Sequence, residues 1–394
     1  MTEFAAFALL LLALAIGFFL GRRQNSVRQV SSNSSFDPVY LKSLNLLLND
    51  DNDQALDQFI DEFEVSPETL DTHLALGNQL RRKGEFSKAT KVHQNLLARP
   101  SLTQNQRYEA QLELARDFMG AGLLDRAEGL LQDLTQANSH YRSLVLKHLV
   151  EIYQDEREWH QAIATVEQLA GRRFGRVSNQ PDSRRAHFCC ELAHESLERQ
   201  NLVSARGYLS QALKFDRRSV RASLLLGELE CRAGHWREAL RALRQVAHQD
   251  PDYLPETLEL VCQCYRELGE QKELRTQLHD WQRAYPSSRL VIKLAEQIRW
   301  AQDDFAAADF IAKELAKRPT MKLLNGLVDL QLLHLSGRSR DNLKTLKELV
   351  DQVLALKPSY QCHSCGFTGQ ELHWLCPRCR QWGSIKAIRG VEGD

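Results

Sequence analysis

The chain has 394 residues, enough for two or three domains of ordinary size. Its 51 basic and 51 acidic side chains cancel, so no global field draws it to nucleic acid. Leu, Ala, Glu, Gln and Arg dominate, β-branched residues are sparse and only ten prolines occur, a composition that predicts an all-α protein.

The first element is an uninterrupted apolar run from Phe4 to Leu20, FAAFALLLLALAIGFFL, followed by Gly21. At a helical rise of ~1.5 Å per residue it reaches roughly 27 Å, just adequate for a bilayer core of about 30 Å. Arg22 and Arg23 follow at once and can snorkel to the headgroups. A secretory signal would carry its positive charge before the apolar core and end at a small-residue cleavage site. Here the only charged side chain ahead of the run is Glu3. Residues 1–21 therefore read as an uncleaved, single-pass transmembrane helix, and the positive-inside rule places everything after it in the cytoplasm. Residues 22–37 are polar and read as a tether.

From residue 38 to 319 a helical grammar repeats about every 34 residues. Aligning on the residue that opens each second helix gives Ala55, Ala89, Ala127, Ala162, Ala205, Ala239, Glu273 and Ala308, in steps of 34, 38, 35, 43, 34, 34 and 35. Twelve residues upstream stand Ser43, Gly77, Ala115, Val150, Ala193, Gly227, Val261 and Glu296, small in most repeats. Antiparallel helices approach closely only where small residues meet. Gly84, Gly122, Gly234 and Gly269 fit the turns between them, and Phe86, Leu124, Trp159 or Trp236 opens the second helix. The 43-residue step carries a basic stretch, GRRFGRVSNQPDSRR. Residues 320–358 add helix without a clean repeat and read as a closing pair.

This grammar resembles the tetratricopeptide repeat family, which implies a superhelical solenoid whose concave face binds peptides or proteins. Carrying that family's groove positions over points to Asn78, Arg81, Arg82, Arg116, His194, Arg232 and Arg266 as partner-binding residues suited to acidic segments. The plainer alternative makes them solvated helix-face charges.

Residues 359–394 are of a different kind. Cys362 and Cys365 form one C-x2-C knuckle and Cys376 and Cys379 another, ten residues further on. Two intervening residues let both sulfurs of a knuckle face one ion, and Gly366 permits the positive φ that such a turn wants. Four thiolates predict one metal ion, iron or zinc, and the spacing does not choose between them. His363 and His373 are left as surface or packing residues. The other cysteines, Cys189, Cys190, Cys231, Cys262 and Cys264, form no disulfide framework, which fits a reducing compartment.

The module resembles a rubredoxin-like domain or zinc ribbon. Three roles compete. An electron carrier would hold iron. A nucleic-acid ribbon would use Arg378, Arg380, Lys386 and Arg389 beside Trp374 and Trp382. Against Glu371, Glu392 and Asp394 those four bases leave a net of one positive charge, weak for phosphate. A structural module would pack Phe367, Trp374, Trp382 and Ile385 onto the repeats. Pro358 leaves almost no linker, so a docked cap on the helices just before it is expected.

The order of anchor, repeats and cysteine module, together with THLALGNQLRRKGE, CGF, W-x-CPRCR-x-W and IKAIRG, resembles the lipopolysaccharide assembly protein B (LapB, once called YciM) family over essentially the full chain. That resemblance implies an inner-membrane protein of a Gram-negative bacterium, facing the cytoplasm. It further implies an adaptor that regulates lipopolysaccharide synthesis by helping the membrane protease FtsH degrade the deacetylase LpxC. The sequence alone yields a membrane-tethered binding scaffold, with a redox or metal-sensing protein, or a peptide-binding scaffold for another envelope pathway, as alternatives. No P-loop, nucleophile elbow or His-Glu-x-x-His helix is present, so no enzyme is expected. Homodimerisation is left open.

Overall fold

The computed structural model describes residues 69–137, 140–170 and 182–391. The predicted anchor, the tether, the first repeat around Ser43 and Ala55, and most of the basic stretch after Ala170 lie outside the described residues. Among the described residues no helix is long and apolar enough to cross a membrane.

The described residues divide into two compact units, one ending at Glu156 and the other beginning at Arg157. The first contains α1 (Leu70–Arg82), α2 (Phe86–Leu97), α3 (Gln104–Gly120), α4 (Leu124–Gln136) and α5 (Arg142–Asp155). The second contains α6 (Trp159–Ala170), α7 (Ser183–Glu198), α8 (Leu202–Phe215), α9 (Val220–Arg232) and α10 (Trp236–Gln249). A 3-10 segment, Pro251–Thr257, leads into α11 (Leu258–Leu268), α12 (Gln271–Ala284), α13 (Ser288–Ala301), α14 (Asp304–Lys317), α15 (Met321–Leu332) and α16 (Gly337–Leu356). Three short strands close the chain: β1 (Tyr360–Cys362), β2 (Thr368–Gly369) and β3 (Ile385–Ala387).

Within each unit consecutive helices pack as hairpin pairs, and first helices of successive pairs also touch, as α1 does α3 and α9 does α11. The turn glycines Gly84, Gly122, Gly234 and Gly269 all adopt positive φ, which spares the chain a Cβ clash at each reversal. Ala89, Ala127, Ala162, Ala205 and Ala239 are each the fourth residue of a second helix and are fully buried. At Gly227 an added Cβ would collide with the Leu243 side chain, and at Gly77 with the His93 ring. The small residue upstream thus receives a side chain one turn beyond the alanine.

The register read from the sequence slips in the late repeats. Leu274, not Glu273, is the buried fourth residue of α12, and Ala307 rather than Ala308 holds that place in α14. The upstream partners then become Cys262 and Ala295, both buried, while Glu273 lies exposed and Glu296 half-buried. The two glutamates that broke the small-residue rule stand one residue from the buried positions, which Leu274 and Ala295 occupy. After these repeats α15 and α16 pack on each other. Among the described residues, sheet occurs only in the terminal module.

Candidate functional site

The terminal module is a three-stranded antiparallel sheet in the order β2-β1-β3, with Cys362 opposite Ile385. Its first knuckle folds because the Cys362 N–H donates to the Phe367 carbonyl at 2.7 Å while Gly366, at φ +75°, donates back to the Cys362 carbonyl at 3.0 Å. The second repeats the arrangement without glycine. Arg380 stands at φ +58° and donates its N–H to the Cys376 carbonyl at 2.8 Å, and Cys376 donates to the Gln381 carbonyl at 3.0 Å. A non-glycine residue in the left-handed region is uncommon, so the knuckle imposes that conformation.

The two knuckles bring four sulfurs together. Cys362 and Cys379 Sγ are 3.7 Å apart, Cys365 and Cys376 Sγ 3.6 Å, and all four lie within 4.8 Å of one another. Thiolates at about 2.3 Å around a tetrahedral ion stand about 3.8 Å apart, so the cluster fits one zinc ion, or iron at a similar bond length. Burial opposes ionisation of the Cys362 thiol. The Ser384 hydroxyl, with Sγ and Oγ 3.3 Å apart, and the N–H groups of Cys365 and Ser364 outweigh it and hold the pKa down to about 6. Around the cluster, Tyr360 and Ile385 form the module's small core with Phe367 and Leu372 against them. Phe367 and Ile385 therefore serve the module's own core rather than the repeats.

Trp374 and Trp382 do reach the repeats, but on a seat far from the expected one. Trp374 stacks on Tyr253 of the 3-10 segment, with centroids 5.2 Å apart and planes 22° apart. The buried Tyr253 hydroxyl lies 2.8 Å from the Ile385 carbonyl and 3.1 Å from that of Gly383. Trp382 stacks on His187 of α7 at 4.8 Å and presents edges to Phe188 and Trp159. The Arg221 guanidinium lies 5.8 Å from the Trp374 centroid and 5.7 Å from that of Trp382, held by Glu191 at 2.8 Å. Lys386 bridges Asp250 at 2.7 Å and Asp252 at 2.9 Å, and Arg389 pairs with Asp252. The Tyr360 hydroxyl donates to Glu256 at 2.8 Å, and Arg289 bonds both.

The module is thus not chiefly a cap on α15 and α16. Its contacts there include two at the backbone: Gln370 donates to the carbonyls of Ala355 and Lys357, and Met321 N–H donates to the Val391 carbonyl. It folds back onto α6, α7, α9 and the 3-10 segment. Two of the four bases and both tryptophans of the nucleic-acid reading, Lys386, Arg389, Trp374 and Trp382, are engaged in this seat. Sequence reasoning missed Tyr253, His187, Arg221, Asp250, Asp252, Glu256 and Arg289. The one local signal was the acidic turn DPDYLPE, which sits opposite a basic strand.

The predicted groove residues divide. Arg81 pairs with Glu113 at 2.6 Å and Asp117 at 2.8 Å and donates to Asn78, while Arg116 pairs with the same Glu113 at 2.7 Å. Asp117 also holds the buried His93 at 2.5 Å. Asn78, Arg81 and Arg116 are therefore one charge network between α1 and α3. Arg82 and His194 are exposed. Arg232 is tied to Glu228 at 2.6 Å and to the Leu197 carbonyl. Arg266 lines a cavity of about 730 Å³ between α11, α12 and α13.

Cys189 and Cys190 are buried within a packed helix cluster, and burial pushes both thiols up to about 12. They are neutral packing groups.

Comparison with known proteins agrees with this architecture. Residues 360–387 match the rubredoxin metal binding domain family and residues 196–273 the tetratricopeptide repeat family. Lipopolysaccharide assembly protein B of Escherichia coli K12 is 34% identical over 388 residues, covering 98% of each chain. The protein of that name from Haemophilus influenzae is 32% identical, again over 98% of each. Among solved structures, a tetratricopeptide repeat protein from Parabacteroides merdae covers 72% of this chain, at 14% identity and a TM-score of 0.33. With relatives this similar along the whole length, the chain belongs to the lipopolysaccharide assembly protein B family.

Proposed function

We propose that the protein is an inner-membrane-anchored, cytoplasm-facing scaffold that regulates lipopolysaccharide assembly by bringing the deacetylase LpxC to the protease FtsH. The observation that carries this reading is the similarity to proteins named for lipopolysaccharide assembly along 98% of both chains. The apolar run ending in Arg22 and Arg23 supports the anchor and its orientation. The repeats supply surface for protein partners, and the protein acts as an adaptor rather than a catalyst. Asn78, Arg81, Arg82, Arg116, His194, Arg232 and Arg266 belong to the surface on which partners are sought.

In this reading Cys362, Cys365, Cys376 and Cys379 hold one ion. The ion supplies the folding energy of a module too small to fold by burial alone. The residues around it then do mechanical work: Tyr253, His187 and Arg221 clamp the folded module onto α7, α9 and the 3-10 segment. The test is complementation in a Gram-negative cell depleted of its own family member. Expression of this chain lowers the steady-state level of LpxC in an FtsH-dependent manner, and a form lacking residues 1–21 does so less. An LpxC level indifferent to the chain would sink the proposal.

A further inference from the structure

The cavity between α11, α12 and α13 has an unusual lining. Arg266 comes from the end of α11, and Lys272 and Arg275 from the start of α12. Lys272 and Arg275 stand three apart on one helix face, and none of the three cations has a side-chain partner among the described residues. The cavity's two carboxylates, Glu259 and Glu296, do not serve them. Both are taken by Lys293, at 2.7 and 3.1 Å. The end of α13 adds Trp300 and Ala301 to the lining, and Trp300 is 87% exposed. The lining includes Cys262, whose thiol burial pushes up to about 11, so it is uncharged at neutral pH. Gln271 and Gln297 add two side-chain amides.

A tryptophan left almost wholly in water beside three unpaired cations is a surface lacking its complement. At about 730 Å³ the space lies in the ordinary range for a binding site. We propose that this cavity docks a linear acidic peptide segment. Its carboxylates meet Arg266, Lys272 and Arg275, and an aromatic or aliphatic side chain between them covers Trp300. The inference deepens the scaffold reading above and rests on it. A peptide fits better than a phosphate or a lipid headgroup for two reasons. The cations are spread over two helices rather than aimed at one point, and the two glutamine amides each offer a donor and an acceptor, as a peptide main chain requires.

The experiment uses the full, metal-loaded chain in detergent micelles. The probe is a synthetic eight-residue peptide alternating Glu with Leu and Phe, followed by tryptophan emission. The peptide is expected to produce a saturable change that disappears in Trp300→Phe. Its affinity should fall about two- to tenfold for each of Arg266→Ala, Lys272→Ala and Arg275→Ala, and should weaken with salt, while melting temperature stays unchanged. No saturation up to millimolar peptide overturns the inference. So does equal binding of the Gln-for-Glu peptide, wild-type affinity in the alanine variants, or saturation of the Trp300 signal by inorganic phosphate or phosphatidylglycerol vesicles in the peptide's place. The regulatory reading is scored separately by LpxC levels in cells, so the two fail independently.

Discussion

Replacing Tyr253 by Phe removes one oxygen from the centre of the module's seat. The phenol is buried, its ring lies 5.2 Å from that of Trp374, and its hydroxyl serves the carbonyls of Ile385 and Gly383. Phenylalanine keeps the ring and its stack, so the change isolates the hydroxyl. The buried Ile385 carbonyl and the half-buried Gly383 carbonyl then lose their shared donor, which costs about 1–3 kcal/mol. Because both acceptors belong to the module, that cost falls on the docked state. Metal transfer to an excess of chromogenic chelator reads the opening of the module when the chelator traps the opened form. The expected acceleration is about 5- to 150-fold, since ~1.4 kcal/mol is a factor of ten. Tyr208→Phe is the control, because that exposed hydroxyl meets only His160, at 3.5 Å. A Tyr253→Phe protein that releases metal at the wild-type rate would show that the module opens without leaving its seat, and would refute the clamp.

Cys376→Ser breaks the four-sulfur cluster. The lost binding energy, on the order of 10 kcal/mol in zinc-finger peptides, exceeds what so small a core supplies, so metal content falls and Trp374 and Trp382 emission shifts to the red; one retained equivalent of metal would contradict this. His187 governs an acid response. Burial, with the Arg221 charge second, holds its pKa down to about 3, against 6.5 ordinarily. With the folded value depressed, the unfolded state takes up the proton first, so stability is full above pH 6.5 and falls as pH drops from there toward 3, by up to about 1.4 kcal/mol per unit. His187→Phe keeps the stack on Trp382, and melting followed from pH 7 to 5 should lose part of its slope; an identical slope in both proteins refutes the assignment. Gly227→Ala forces a Cβ into Leu243 and should cost about 1–3 kcal/mol in the melting of the second unit. A melting temperature equal to wild type would show that the helices part freely there.

How much of this was written in the sequence depends on how far apart the partners lie. The metal cluster was fully legible, because its four sulfurs fall within 18 residues and each knuckle is set by its own turn. The hairpin pairs were legible from the alanine at the fourth residue of most second helices. Where α12 carries Leu274 in that place the rule had nothing small to find, and it slid one residue to Glu273. A step of one position rotates a helix by about 100°, which moves a side chain from core to solvent. The seat was hardly legible: the acidic turn DPDYLPE was its one local signal. Tyr360 meets Glu256 across 104 residues and Lys386 meets Asp250 across 136, and no local periodicity encodes such pairs. Reasoning from the short linker gave the right conclusion, docking, and the wrong surface.

The forces holding the seat differ in kind, and salt separates them. Lys386 and Arg389 against Asp250 and Asp252 are the conspicuous ion pairs, yet all four side chains keep access to water. Pairs of that sort are worth about 0.2–1 kcal/mol each, and at ~1 M salt the screening length falls to about 3 Å. The aromatic contact is of another size. Two tryptophan rings bury up to about 150–250 Å² each, which at ~25 cal/mol per Å² amounts to roughly 8–12 kcal/mol as an upper bound. Even half of that exceeds the ion pairs together. The carboxylates therefore act mainly to select β3 and the residues just after it, through Lys386 and Arg389, as the segment that lies against the 3-10 segment, while Tyr253, His187 and the two tryptophans hold it there. In 1 M sodium chloride the module should stay docked, with Trp374 and Trp382 emission unchanged and chelator access to the metal within about threefold of its low-salt rate. A red shift on adding salt, reversed by dilution, would mean that charge carries the seat and that the aromatic contact is the lesser force.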